Sequence, residues 1–172
     1  MPARNATSYL NTFLRDRQRF TQELDVPVLV WEAGPEGPDG KRIGVGITQS
    51  GYGSVSRAPA PGETLVFELR KVAGTNNPFA MGVTVGRIDQ NDIGIEDGSV
   101  SRFHAYFQQT PVGWVICDAE SKNGTFVNGR LLVASQKTPV PDGAKVKFGE
   151  VEMRFMLPKS FADWLRTSWS KA

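Results

Sequence analysis

Trp114-Val115-Ile116-Cys117-Asp118, then Ala119-Glu120-Ser121-Lys122-Asn123-Gly124-Thr125, then Phe126-Val127-Asn128-Gly129 form the stretch whose pattern decides the fold. Trp114 and Ile116 alternate with their neighbours, as residues on one face of a strand do. Cys117 reads as a small, buried or half-buried strand residue. The polar run from Ser121 to Thr125 is too short and too rich in small residues for a helix, so it predicts a loop that opens the next strand. Asn128-Gly129 is the strongest short hairpin signal in the chain, because both residues tolerate the positive φ of a type I′ turn.

The same period of two extends on both sides. Leu65, Phe67 and Leu69 alternate with Val66, Glu68 and Arg70, and Met81, Val83 and Val85 repeat the pattern. So do Ile93 with Ile95, Val146 with Phe148, and Val151 with Met153 and Phe155, each run bounded by turn residues. Many short strands at regular spacing predict an all-β, antiparallel β-sandwich rather than alternating strands and helices. Pro158 ends the strand region. Ser160 with Asp163 predicts the cap of a short C-terminal helix presenting Phe161, Trp164 and Leu165 to the sandwich.

Before the strands the period is different. Tyr9, Leu10, Phe13, Leu14, Phe20 and Leu24 recur at three- to four-residue intervals, predicting one N-terminal amphipathic helix from Thr7 to Leu24. A short apolar run, Val28 to Trp31, follows Pro27. Gly and Pro then make Ala33 to Gly40 a loop, Ile43, Val45 and Ile47 suggest a strand, and Ser50 to Gly62 reads as a second loop. The expected organisation is an N-terminal extension over 1–62, a sandwich over 63–158, and a helix or tail over 159–172. The aromatic surface of the extension would be costly in water, so residues 1–62 are expected to dock on the sandwich away from its functional loops.

Composition narrows the function. The chain has 172 residues, 40% hydrophobic and 22% charged, which suits one globular domain with an extension. Twenty Lys and Arg against eighteen Asp and Glu give a formal charge of +2, too weak a field for sequence-independent nucleic-acid binding. A single Cys excludes an internal disulfide framework, and a single His excludes sites that need several imidazoles. No segment reads as a signal peptide or a membrane span, so a cytoplasmic protein with no membrane partner is expected.

Three loops share small residues and hydrogen-bond donors: Gly86-Arg87, then Ser99-Val100-Ser101-Arg102-Phe103-His104-Ala105, then Ser121-Lys122-Asn123-Gly124-Thr125. A sandwich gathers its loops at its ends, so the three can converge on one site. That site would offer a guanidinium, a hydroxyl, an ammonium, a carboxamide and backbone N–H groups, which is equipment for a phosphate.

The ordered motifs resemble those of the forkhead-associated (FHA) domain, a phosphothreonine-binding β-sandwich. They run from Gly86-Arg87 through Asn91-Asp92, Ser101 to Ala105, Trp114, Asp118, Ser121 to Thr125 and Asn128-Gly129 to Asp142-Gly143 and Phe148-Gly149. The resemblance covers about Leu65 to Leu157. It implies that Arg87 pairs with the phosphate, that the Ser101 hydroxyl and the Arg102 backbone N–H add hydrogen bonds, that Lys122 borders the phosphate, and that Asn123 holds the ligand main chain. His104, Gly86, Gly124, Thr125 and Asn128 would support the site, His104 by tying the loops together through its ring nitrogens. Ser99, two residues before Ser101, is small and uncharged, which argues against a strong preference for an acid at the third position after the phosphothreonine.

The resemblance thus implies a non-catalytic adaptor that needs no cofactor or metal. Its partner would be a threonine-phosphorylated protein, either a Ser/Thr protein kinase or its substrate. The alternative from another class is a phosphate-independent scaffold or secretion-assembly component that uses the sandwich faces or the N-terminal helix. An enzyme using the N-terminal segment is disfavoured, because no His, Cys or clustered carboxylates stand before Gly62.

Overall fold

The structure, a computed structural model, describes residues 3–33, 55–73 and 82–169. In chain order it runs β1 (Arg4–Asn5), α1 (Ala6–Arg15), α2 (Arg17–Glu23), β2 (Val28–Glu32), β3 (Val55–Ser56), β4 (Thr64–Glu68), β5 (Val83–Gly86) and β6 (Ile93–Ile95). It continues β7 (Ala105–Thr110), β8 (Gly113–Asp118), β9 (Thr125–Val127), β10 (Arg130–Leu131), β11 (Lys137–Pro139), β12 (Lys145–Phe148), β13 (Val151–Met156) and α3 (Pro158–Trp169). Among the described residues the strands form two sheets, a seven-stranded one ordered β1-β4-β2-β13-β12-β9-β10 and a six-stranded one ordered β11-β8-β7-β5-β6-β3. The fold is a mostly-β, two-sheet sandwich with N-terminal helices and a C-terminal helix, and its only parallel ladders among the described residues are β3 with β6 and β5 with β6.

Side-chain parity explains the layers. Leu29 and Trp31 of β2, Phe67 and the adjoining Leu69, and Val151, Met153 and Phe155 of β13 enter the core between the sheets, with Phe107, Ile116, Val146 and Phe148. The intervening Val28, Val30, Val66 and Met156 point the other way and meet Tyr9, Leu10, Phe13, Phe20, Leu24, Phe161 and Leu165 of the helices. The seven-stranded sheet is therefore covered on one side by its partner sheet and over part of the other by α1, α2 and α3. Burying each of these large side chains contributes about 1.5–3 kcal/mol. A polar clasp adds to the apolar contact: Tyr9 Oη donates to Glu68 at 2.9 Å and Arg70 Nε donates to the same carboxylate at 2.7 Å. Arg70 also reaches the Glu23 carbonyl at 3.0 Å and pairs with Asp25. The N-terminal segment is built into the sandwich as well as packed on it, since β2 lies between β4 and β13.

Several expectations are corrected. The single helix over Thr7–Leu24 is two helices, because Asp16 adopts an extended conformation, ends α1, and accepts a hydrogen bond from the Arg19 N–H as the N-cap of α2. The break lets Phe13 and Phe20 meet edge to face at 5.4 Å, while Leu14, expected on the apolar side, is exposed. Within the stretch read as a loop from Ser50 to Gly62, Val55 and Ser56 form β3. Ser160 does not cap α3; that helix begins at Pro158, whose fixed φ suits a first helical position. The Asp142 carboxylate instead takes the Leu157 N–H at 2.8 Å and the Ser160 hydroxyl. The strand expected at Ile43 to Ile47, the Ala33–Gly40 loop beyond Ala33, and Met81 lie outside the described residues.

Asn128 and Gly129 have φ of 49° and 79° and join β9 to β10 across the Val127–Arg130 pair, as a type I′ turn requires. Cys117 is buried in β8.

Candidate functional site

The three loops meet at one end of the sandwich, and the backbone holds them together. β5 ends at Gly86, where an added Cβ would lie 2.2 Å from the Arg102 carbonyl oxygen and 2.6 Å from Asn91 Nδ2. Only glycine lets the first loop lie this close to the second. Next in the chain, the Arg87 N–H donates to the Ser101 carbonyl at 2.9 Å. The Arg87 side chain is exposed, yet its Nε donates to the Val100 carbonyl at 3.1 Å. That bond orients the guanidinium and leaves its two terminal NH₂ groups for another acceptor.

His104 is the pin beneath the loops, with no exposed surface. Its Nδ1 accepts from the Ser101 N–H at 3.0 Å, and its Nε2 lies 3.0 Å from the Gly124 carbonyl. This pairing assigns the proton to Nε2, which donates to Gly124. Burial pushes the imidazole below its ordinary pKa, against opposing effects from Gly124 and the Asp118 charge, so the ring is neutral at pH 7. The ring edge also packs on Phe148 at 5.7 Å.

Asp118, at the end of β8, shapes the third loop. Its carboxylate accepts from the Ser121 N–H at 3.0 Å, the Ser121 hydroxyl at 2.6 Å and the buried Thr125 hydroxyl at 2.5 Å. Burial by itself would raise this carboxyl, but the bonds from Ser121 and Thr125 and the nearby His104 outweigh it, and the net shift is downward. Ser121 Oγ in turn accepts from the Gly124 N–H at 3.0 Å, and Gly124 sits at φ 83°. The turn so formed lifts Lys122 and Asn123 into solvent. The Lys122 N–H donates to Ser101 Oγ at 2.9 Å, which leaves the hydroxyl proton free to donate outward. Asn123 Nδ2 donates to the Ser99 carbonyl at 2.8 Å, leaving its Oδ1 and a second N–H for a ligand.

The structure thus brings Gly86, Arg87, Ser101, Arg102, His104, Lys122, Asn123, Gly124 and Thr125 together. Asn128 is elsewhere, at the far end of β9, where its side chain accepts from the Lys145 N–H at 2.9 Å. Among the described residues none of Arg87, Arg102 and Lys122 forms an ion pair, so three cations face solvent at one end. Sequence reasoning assigned no supporting role to Asn91, Asp118, Ser121 or Gly149. Asn91 Nδ2 joins the Ile88 and Arg102 carbonyls at 2.9 and 2.7 Å. A Cβ on Gly149 would lie 2.4 Å from the Ser99 carbonyl oxygen. The readable signal was Asp118 three residues before Ser121, the spacing of a local carboxylate turn.

This arrangement is that of an FHA-type sandwich with its loop end presented to solvent. Residues 83–149 match the FHA domain. Among curated relatives it is 28% identical over 149 residues to the glycogen accumulation regulator GarA of Mycobacterium tuberculosis, covering 86% of this chain and 80% of that one. It is 41% identical over 73 residues to an ABC transporter ATP-binding/permease protein of M. tuberculosis, 42% of this chain and 8% of that one. The chain spans between 8% and 26% of that transporter, of an Arabidopsis thaliana FHA domain-containing protein and of the mycobacterial transcriptional regulator EmbR. A solved structure of M. tuberculosis EmbR in complex with a low-affinity phosphopeptide is similar at 29% identity and a TM-score of 0.41, over 45% of this chain and 20% of that one. No helix among the described residues is long and apolar enough to cross a membrane.

Proposed function

We propose that this chain is a phosphothreonine-dependent protein–protein interaction module, an adaptor in Ser/Thr kinase signalling. The observation that carries the reading is the exposed Arg87 guanidinium, oriented by Val100 and set beside Ser101, with no carboxylate among the described residues paired to Arg87, Arg102 or Lys122. A phosphothreonine side chain carries about −1.5 to −2 charge and three acceptor oxygens, and each charge-assisted hydrogen bond to it contributes about 1.5–3 kcal/mol. Arg87 takes two of those oxygens through its fork. The Ser101 hydroxyl and the Arg102 N–H donate to the phosphate, Lys122 borders it, and Asn123 grips the ligand main chain through the amide groups it has left. The partner is a threonine-phosphorylated protein, a kinase or its substrate, met in the cytoplasm.

The mode of action is binding rather than catalysis, because both ring nitrogens of His104 are committed to backbone groups and cannot serve Ser101 as a base. The test is an oriented phosphothreonine peptide library, offered to the full chain beside the same peptides unphosphorylated. Retention of the phosphorylated set alone is the expected result; equal retention of both sets would refute the assignment.

A further inference from the structure

The loop end of the sandwich continues into a groove along its open side. β10 is the outermost strand of one sheet and β11 of the other, and the space between them is lined by Val127, Arg130, Leu131, Val133, Thr138 and Pro139. Strand register fixes its direction. Leu131 stands opposite Phe126 and Arg130 opposite Val127, while Lys137 stands opposite Cys117 and Pro139 opposite Val115. The groove therefore starts near Asp118 and Thr125, at the loop end, and runs away from it.

Its head touches the candidate site. Leu131 Cδ1 lies only 2.6 Å from where a Cβ on Gly124 would stand, and Gly124 follows Asn123 directly. Leu131 and Val133 are 63% and 60% exposed, two of five large exposed hydrophobic side chains among the described residues. Arg130 lines the groove and is exposed, Lys137 is exposed between the lining residues Gln136 and Thr138, and neither cation forms an ion pair among the described residues.

We propose that this groove receives the continuation of the phosphorylated partner: an extended segment beyond the residues gripped at the loops, with apolar side chains at alternate positions and an acidic residue for these two cations. Alternate side chains of an extended strand share one face, which suits a groove lined by Leu131 and Val133 on one wall. The inference rests on the phosphothreonine reading of the loops, because the phosphate is what anchors the segment at the head of the groove.

The test uses two libraries with a central phosphothreonine, one degenerate for four residues on each side and one for ten, offered to the full chain and to a Leu131→Ser, Val133→Ser double variant. Both substitutions are at exposed positions, and an unchanged thermal midpoint confirms that the variant folds. Expected is selection of alternating apolar residues beyond the fourth position on one side, and about tenfold tighter binding of the best long peptide than of its shortened form. The double variant should lose that gain while binding the short peptide as before. No gain from length, or a gain that survives the double substitution, overturns the groove proposal and leaves the phosphothreonine reading standing. So does self-association of the chain that disappears in the double variant. Failure of both libraries to bind in a phosphate-dependent way overturns the reading itself, and the groove proposal with it.

Discussion

Replacing His104 by alanine should weaken the fold and the site together. The ring holds two backbone groups in a fully buried position, the Ser101 N–H at 3.0 Å and the Gly124 carbonyl at 3.0 Å. Removing it strands both, and each unsatisfied buried group costs about 1–3 kcal/mol. Loss of the edge contact with Phe148 adds about 0.5–1.5 kcal/mol. The expected destabilisation is therefore about 3–5 kcal/mol, the lower part of the summed range, because some relaxation follows any such deletion. For a chain of this length that lowers the thermal midpoint by roughly 6–20 °C, a fall most domains survive at room temperature. Calorimetry gives the midpoint, and titration with a phosphothreonine peptide well below it gives the affinity. Affinity should also fall, because Ser101 and Gly124 anchor the loops that carry the ligand contacts. A sharp loss of affinity with an unchanged midpoint would refute the reasoning and make His104 a direct ligand contact.

The same ring predicts a pH dependence. Its folded pKa lies below the unfolded value near 6.5, so its contribution is complete above that value and is lost as pH falls through the folded pKa; His104→Gln should flatten this part of a stability-against-pH curve. Arg87→Ala should weaken phosphopeptide binding by about 10- to 150-fold, the loss of one charge-assisted contact of 1.5–3 kcal/mol, with a midpoint within about 1 °C of the parent; near-parental affinity would remove Arg87 from the phosphate. Gly86→Ala should destabilise by about 1–3 kcal/mol or more, since its Cβ would lie 2.2 Å from a carbonyl oxygen, and an unperturbed midpoint would contradict that packing. Deleting residues 1–24 should uncover Val28, Val30, Val66 and Met156, raise dye-reported apolar surface and lower stability while phosphopeptide binding persists. Extending the deletion through Ala33 removes β2 from between β4 and β13 and should abolish cooperative unfolding.

The sandwich was legible because alternation is a local signal. Leu65, Phe67 and Leu69 show it, and so do Val151, Met153 and Phe155. The loop residues were legible as an ordered set of donors. What escaped was decided by distant partners. Nothing near Ser160 announces that Asp142 will accept its hydroxyl, and nothing near Asn91 announces the Arg102 carbonyl. The break at Asp16 escaped for another reason: an aspartate serves equally on a helix surface or as a cap, and here the contact between Phe13 and Phe20 accompanies the second choice. Val28 to Trp31 read only as an apolar run, because a strand buried on both faces has no alternation to detect.

That last strand bears on how the molecule is made. β2 pairs with β13, so residues 28–32 and 151–156, more than a hundred positions apart, lie side by side in the sheet. As synthesis proceeds, Val28 to Glu32 must wait for residues 151–156 before this ladder can close. The hairpin of β7 and β8, by contrast, can close as soon as both strands are made. In the interval the apolar faces of β2, α1 and α2 lack part of their cover. Closure of this kind, set by the separation of contacting residues rather than by their strength, leaves apolar surface open to association with other chains until β13 and α3 arrive.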